Sequence, residues 1–368
     1  MTVFLIAVLL AAQLLTYIFA RSLLWQFALS SRTARRAVFA ACFLMGNGLL
    51  LAAVFRVWLP LFRISALWLV SLMFVCWVAA AVRLLQSAAA RLHLGQPEKL
   101  HRLLRIFAPA ALAGIYMLAL YNAYTPVVRH ARIHIGKPLG RPVRVALASD
   151  THLGVLFGAR QLDKLAAIMR QEQPDIILLP GDLMDDNTEA YEAGHMQGSL
   201  KKLRAPLGVY ATIGNHDVGY GARPQDQIIT RALEDAGITV LTNRAVQIDG
   251  LFWVAGLPDQ MLGQGRHSAR SVLDQADTAQ PVFLMDHRPD DVLQHLALSV
   301  DMQVSGHTHN GQIFPANLIV RRLSPLAYGH LEQNGRHAFT TSGYGFWGVP
   351  FRLGSQSEVW IIDITGSS

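Results

Sequence analysis

Cysteine is nearly absent. Cys42 and Cys76 are the only two in 368 residues, and both sit inside apolar runs, so they cannot staple the C-terminal part of the chain. They read as small apolar residues of buried helices. Charge is scarce as well: 15% of residues are charged against 52% hydrophobic, too apolar for an ordinary soluble protein. Acid is almost missing from residues 1–125, which hold eleven Lys/Arg and only Glu98, a net of +10. Residues 126–144 add five bases and no acid, leaving 16 bases against 24 acids in 145–368, a net of −8. The overall +7 therefore belongs to the N-terminal part. A groove that tracks a phosphate backbone needs a positive domain, so no nucleic-acid partner is expected. Internal repeats and low-complexity segments are also lacking.

What is present begins with four apolar stretches, about Thr2–Ala20, Ala37–Phe55, Ile64–Val82 and Ile106–Tyr124, with no charge in their interiors. Each is near the roughly 20 residues that a helix needs to span a bilayer. Trp25, Trp58, Tyr121 and Tyr124 lie near their ends, as an interfacial belt requires. The first stretch lacks a basic leader and is followed by three more, so it reads as an anchor and not a signal peptide. Charge-free interiors speak against a transporter, whose substrate path is usually marked by buried charge. Loops 21–36 and 83–105 together hold nine Lys/Arg, and the loop on the other side holds Arg56 and Arg63. That asymmetry predicts a multi-pass inner (cytoplasmic) membrane protein whose C-terminal domain is extracytoplasmic. The expected domains are thus 1–125, a four-helix transmembrane anchor; 126–142, a Pro-, Gly- and Arg-rich extended linker; and 143–368, the catalytic domain.

Beyond the linker the pattern alternates between short apolar strands and amphipathic helices. Strands are expected at Val143–Ser149, Asp175–Leu179, Gly208–Ile213, Pro281–Met285, Asp301–Ser305, His337–Thr341 and Val359–Ile364, with β-rich sequence near 238–256. Helices are expected at about 159–172, 188–204, 224–236 and 289–297, which makes an α/β domain. Five of the strands run straight into metal-ligand residue types: Asp150-Thr151-His152, Gly181-Asp182, Gly214-Asn215-His216-Asp217, His287, and Gly306-His307-Thr308-His309. Sheets of parallel type collect ligands at the carboxyl ends of their strands, so the five clusters are expected to converge. Carboxylate, imidazole and amide ligands without thiolate favour Mn, Fe or Zn over Ca or Mg. Two such ions about 3.5–4 Å apart clamp a phosphoryl oxygen and lower the pKa of a bridging water. Asp182 is placed to bridge them.

The ordered motifs SDTHLG, PGDLMDD, IGNHD, a lone His287 and SGHTHNGQIFP, with TSGYGFWGVPFRLG near the C-terminus, resemble the calcineurin-like metallophosphoesterases. They are most similar to bacterial phosphodiesterases and transmembrane metallophosphoesterases that carry this domain after an anchor. The resemblance covers essentially all of 143–368. It implies a two-sheet β-sandwich flanked by helices, with one divalent ion held by Asp150, His152, Asp182 and His309. A second would be held by Asp182, Asn215, His287 and His307. It further implies in-line attack on a phosphoester by a metal-bridging hydroxide, with His216 as general acid or transition-state donor and Asp217 orienting it. Asp286, where the family usually has an apolar or small residue, and Asn310, where glycine is common, depart from the pattern without removing a ligand.

Asp185 is expected to support the ligands from behind, and Asp186 to be a solvated turn residue. His93, His101, His130, His134, His195, His267, His295, His330 and His337 lack ligand-type neighbours and read as exposed or locally bonded. Val155-Leu156-Phe157 and Tyr344-Gly345-Phe346-Trp347 read first as packing around the site. The sharper reading gives them an acyl chain of a lipid phosphoester. The substrate is therefore a phosphodiester or phosphomonoester, lipid-linked in the sharper reading, with the bilayer as the other partner and the oligomeric state left open. Competing readings are a soluble nucleotide phosphodiesterase and a non-enzymatic membrane receptor or scaffold with a relict metal site.

Overall fold

The structure, a computed structural model, describes residues 2–54, 59–93, 96–220 and 225–367. It divides into a unit of residues 1–118 and a unit of residues 119–368. The first is helical: α1 (Thr2–Gln26), α2 (Arg32–Val54), α3 (Leu59–Arg91) and the greater part of α4 (Pro97–Tyr124). Among the described residues, three segments are long and apolar enough to cross a membrane: Arg32–Ala52, Arg63–Arg91 and Pro97–Tyr124. The four expected spans thus become three. The fourth, Thr2–Ala20, is helical, but the side chains of 2–5, 7 and 8 fall outside the described residues, as do Arg56 and Trp58. Several polar side chains in this unit bond to each other or back to the helix, where apolar surroundings supply few other partners. Gln13 Nε2 donates to Asn47 Oδ1 (2.8 Å), and Thr16 Oγ1 donates to the Ala12 carbonyl (2.8 Å). Pro109 lies inside α4 and brings no N–H to the carbonyl four residues back. That carbonyl, on Arg105, instead accepts from Gln26 Nε2 (2.8 Å).

The second unit is built on two six-stranded mixed sheets. The first has the order β1 (Val127–Pro138), β12 (Glu358–Ser367), β2 (Val143–Leu147), β3 (Ile176–Pro180), β4 (Val209–Thr212), β5 (Thr239–Val240). The second runs β10 (Gly329–Gln333), β11 (Arg336–Thr340), β9 (Met302–Ser305), β8 (Val282–Asp286), β7 (Phe252–Leu257), β6 (Arg244–Ile248). Strands β2 to β5 are mutually parallel, as are β7, β8, β9 and β11. One expectation is corrected here. Residues 126–142 are not a free linker, because β1 pairs in parallel with β12 from Val127↔Glu358 to Ile135↔Gly366. Ile133 and Ile135 are buried in the sandwich core, which is why this segment stays in the sheet.

Side-chain alternation along each strand sorts residues between two cores. In β2 and β3, Val143, Val145, Leu147, Ile176 and Leu178 meet Phe252, Val254, Phe283, Met285 and Phe339 of the other sheet. Their neighbours Ala146, Ile177 and Leu179 face the opposite way, onto helix α5 (Ala159–Glu172). That helix buries Leu162, Leu165, Ala166 and Met169, the i, i+3, i+4, i+7 stripe of an amphipathic helix. Each fully buried leucine contributes about 1.5–3 kcal/mol relative to exposure. With both sheets packed face to face, the carboxyl ends of β2, β3, β4, β8 and β9 are brought to one edge of the sandwich, where the polar loops emerge.

Candidate metal centre

Every expected ligand comes to that edge. Asp150 and His152 follow β2, Asp182 follows β3, Asn215 follows β4, His287 follows β8, and His307 and His309 follow β9. The expected ligands fall into two groups, Asp150, His152 and His309, and Asp182, His287 and His307, while His216 groups with His152 and Asp182 and with Asp185 and Asp186. Asp182 joins them. Its Oδ2 lies 3.0 Å from His287 Nε2 and 3.8 Å from His152 Nε2, between the two groups. His152 Nε2 and His309 Nε2 face each other at 3.1 Å, and His309 Nε2 is 3.5 Å from Asp150 Oδ1.

The backbone is bent to reach this arrangement. Asp150, His152, Asp182, His307 and His309 all have φ between 43° and 69°, the left-handed region that L side chains seldom occupy. Such conformations cost on the order of 1–3 kcal/mol each and persist where the surroundings hold them, most often at functional sites. Close approach also explains two glycines. A Cβ on Gly306 would run into the Asp150 carboxylate, and one on Gly214 into that of Asp182.

The donor set suits divalent cations. Asp150 Oδ2 and Asn215 Oδ1 are buried without a hydrogen-bond partner, and Asn215 turns its amide nitrogen away, to Tyr220 Oη (2.9 Å). His287 Nδ1 donates to the Pro180 carbonyl (2.8 Å), which fixes the ring with Nε2 facing Asp182. Without a cation the electrostatics are under tension. Burial pushes the Asp150 carboxyl up to about 6. Burial opposes charge on His287, but Asp182 outweighs it and pushes the imidazole up to about 10. His152 and His307 are pushed down to about 3, mainly by burial. Burial alone would raise Asp182, yet His287 and its other cationic neighbours hold it well below the usual carboxylate range.

Residues 143–311 match the model of the calcineurin-like phosphoesterase family. This segment is a calcineurin-like metallophosphoesterase domain. The chain that carries it is a metal-dependent phosphoric ester hydrolase. It is similar to an uncharacterized metallophosphoesterase of Helicobacter pylori J99, 28% identical over 71% of this chain and 70% of that protein. It is also similar to a transmembrane protein with metallophosphoesterase domain of Danio rerio, 29% identical over 59% of this chain and 52% of that protein. A solved dimetal phosphatase from Danio rerio aligns over 56% of this chain and 88% of its own, at 13% identity and a TM-score of 0.34, which carries no argument by itself.

The phosphoesterase domain corrects two expected roles. Asp217 does not orient His216. Its Oδ1 accepts from the Leu183 (3.0 Å) and Met184 (2.9 Å) amides and its Oδ2 from the Gly214 amide (2.9 Å), so it welds the turn carrying Asp182 to the turn carrying Asn215. Asp186, expected in solvent, is the residue that holds His216, with its Oδ1 accepting from Nδ1 at 2.6 Å. The His216 amide meanwhile donates to Asp182 Oδ1 (2.8 Å). Burial works against a charge on His216, but the Asp186 bond and the nearby Asp182 raise its pKa above the ordinary imidazole value. Asp185 stands 4.0 Å from His152 Nδ1, behind the ligand as expected.

Arg352 went unassigned in the sequence. It is fully buried and packs its guanidinium 3.0 Å from His309 Nδ1 while donating to the Ser342 and Gly345 carbonyls (2.6 Å each). Its only trace in the sequence was a lone arginine within the apolar FWGVPFRLG stretch. Asp286, the departure beside His287, forms a two-pronged pair with Arg266 (2.9 Å for both oxygens) that ties the 258–266 segment to β8. Of the two apolar features, Phe157, Tyr344 and Phe346 pack together in the core, whereas Val155, Leu156 and Trp347 are exposed.

Proposed function

We propose that the protein is a membrane-anchored two-metal phosphoesterase acting on a phosphodiester or phosphomonoester, with lipid-linked esters as its preferred class. The observation that carries this reading is Asp182 Oδ2 standing between the two histidine groups, the position of a bridging ligand. One ion would be held by Asp150, His152, Asp182 and His309, the other by Asp182, Asn215, His287 and His307, with Mn, Fe or Zn suited to these donors. Bound there, the pair supplies Lewis acidity toward a phosphoryl oxygen and a water acidified to near-neutral pKa. The chain's own residues do the rest. His216, held through Nδ1 by Asp186, whose carboxylate favours the charged imidazole, presents its other nitrogen as the proton donor to the leaving oxygen. Asp217 keeps the two ligand turns at fixed separation.

The lipid preference rests on exposed apolar side chains of the segments that follow the ligand turns. Trp347 lies 6.0 Å from the His216 ring and is 46% exposed, and Val155 (74%) and Leu156 (40%) are exposed on the loop after His152. The helix Ala316–Leu323 adds exposed Leu318, Ile319 and Leu323 beside Arg321 and Arg322. Three apolar helices anchor the chain in a membrane, and tethering keeps the site within reach of lipid. The excess of Lys/Arg in loops 21–36 and 83–105 favours an inner-membrane protein with an extracytoplasmic domain. The test uses the full chain in detergent, stripped by chelator and reloaded with Mn²⁺, on mono- and diester model substrates and a phospholipid panel. Metal-dependent turnover that Asp182→Ala abolishes is expected; metal-independent turnover would overturn the mechanism. Leu156→Asp with Trp347→Ala is expected to slow lipid esters while sparing small soluble ones.

A further inference from the structure

The membrane unit contains a cavity of 410 Å³ between α1, α3 and α4. That volume is within the ordinary range for a small-molecule site. Its walls are mostly apolar, with Ile18, Phe19, Val75, Val82 and Leu112 among them, but Arg21 and Arg83 line it and no acid does. Three buried donors at this place have no acceptor: Trp25 Nε1 and Gln86 Nε2, both in the lining, and Nε of Arg105, whose guanidinium lies 5.6 Å over the Trp25 ring. A buried donor left unmade costs about 1–3 kcal/mol, so three in one place call for an acceptor-rich partner. Other lining donors do find protein acceptors: Gln26 repairs the carbonyl freed by Pro109, Ser22 donates to the Ile18 carbonyl (2.8 Å) and Arg21 to Tyr17 Oη (3.3 Å).

We infer that this cavity is a binding site for an anionic membrane phospholipid, its phosphate held by Arg21, Arg83 and the unpartnered Trp25 and Gln86 donors and one acyl chain lying along the apolar walls. Charge complementarity identifies the occupant. Arg21 and Arg83 are exposed lining residues, and Glu98 is the one acid in residues 1–118, so a counter-charge for them comes from outside this part of the chain. A zwitterionic lipid brings a cation of its own toward the arginines. The three elements contribute from the end of the bundle where nine of the eleven Lys/Arg of residues 1–125 are found, where anionic headgroups are favoured. The site is separate from the metal centre and rests on the membrane anchoring of this unit.

The experiment takes the delipidated full chain in neutral detergent and follows its melting with phosphatidylglycerol, phosphatidylcholine of the same chains, or inorganic phosphate. Native mass spectrometry counts bound lipid. Phosphatidylglycerol is expected to raise the melting temperature by about 3 °C or more, with one lipid retained, and the other two to do neither. Arg83→Gln and, separately, Gln86→Leu are expected to weaken binding at least about fivefold, the loss of one charged or one neutral hydrogen bond to phosphate. Gln86→Leu changes no charge and removes an unpartnered polar group, so it folds at least as well as the parent and separates a built site from general attraction to anionic lipid. Hydrolysis of a small soluble phosphoester, unchanged in both variants, confirms that the catalytic unit is intact. Equal responses to the two lipids, an equal response to inorganic phosphate, or undiminished binding by both variants would overturn the assignment. Release of the chain from membranes by alkaline carbonate would sink the anchor itself.

Discussion

At the scale of single residues, the site is a case of neighbours deciding roles. Asp182, Asp186 and Asp217 lie within 36 positions of one another, yet one sits between two imidazole groups, one holds a histidine and one caps backbone amides. The sequence alone assigns Asp217 to His216 because they are adjacent. Adjacent residues on the short helix Asn215–Val218 point apart, however, and Asp217 is drawn inward to three N–H groups. This difference has a kinetic signature. The raised pKa of His216 means that its imidazolium survives to higher pH than usual, so donation to the leaving group fails only on the alkaline side. Asp186→Asn removes the carboxylate that sustains the charge. The alkaline limb of kcat is expected to move to lower pH, with kcat at neutral pH falling about 10²-fold, read from pH–rate profiles of both proteins. A limb that stays in place would return the orienting role to another group.

Elements place these residues, and their stability is argued from packing. Helix α5 packs on the sheet face that carries Ala146, Ile177 and Leu179, and Leu162 is buried in its first turn. Leu162→Ala leaves a cavity against Ile177 and Leu179, and is expected to cost about 2–5 kcal/mol in denaturant unfolding of the phosphoesterase domain. The element reading from sequence was best where one side of a strand or helix is buried. All seven expected strands are present, six of them within one or two residues and the last extended by three at its C-terminal end, and α5 has the expected bounds. It was poorest at the sheet's edge. Strand β1 carries His130, Arg132 and His134 on its open face, so its pattern resembles a polar connector until β12 is there to pair with. The expected helix over 188–204 is two short ones, Glu189–Ala193 and Gln197–Leu200, broken around Gly194.

For the whole molecule the controlling quantity is charge. Residues 145–368 carry a net −8, and two carboxylates of the centre are buried. Cations must therefore displace protons. His287, pushed up to about 10 by Asp182 against its burial, holds a proton in the metal-free protein near neutrality, and Asp150, pushed up to about 6 by burial, holds one only on the acid side, whereas His152 and His307 are already free of them. Metal affinity is accordingly expected to rise with pH, by about tenfold per unit for each proton released, and binding is expected to release at least one proton. Calorimetry in buffers of different ionisation enthalpy, together with chelator competition at pH 6 and pH 8, measures both. An affinity independent of pH would contradict this account of the centre.

The ligand types, their order along the chain and the apolar stretches were legible without coordinates, because each depends on local sequence: a strand that ends, a turn that follows, a run too apolar for water. The pairing of Asp186 with His216, the buried Arg352 behind His309 and the capture of residues 127–138 as a strand were not. Each depends on which surfaces meet when two sheets close on each other. That closure is driven by apolar burial summed over the sandwich, and the polar contacts at its edge take their partners from the result.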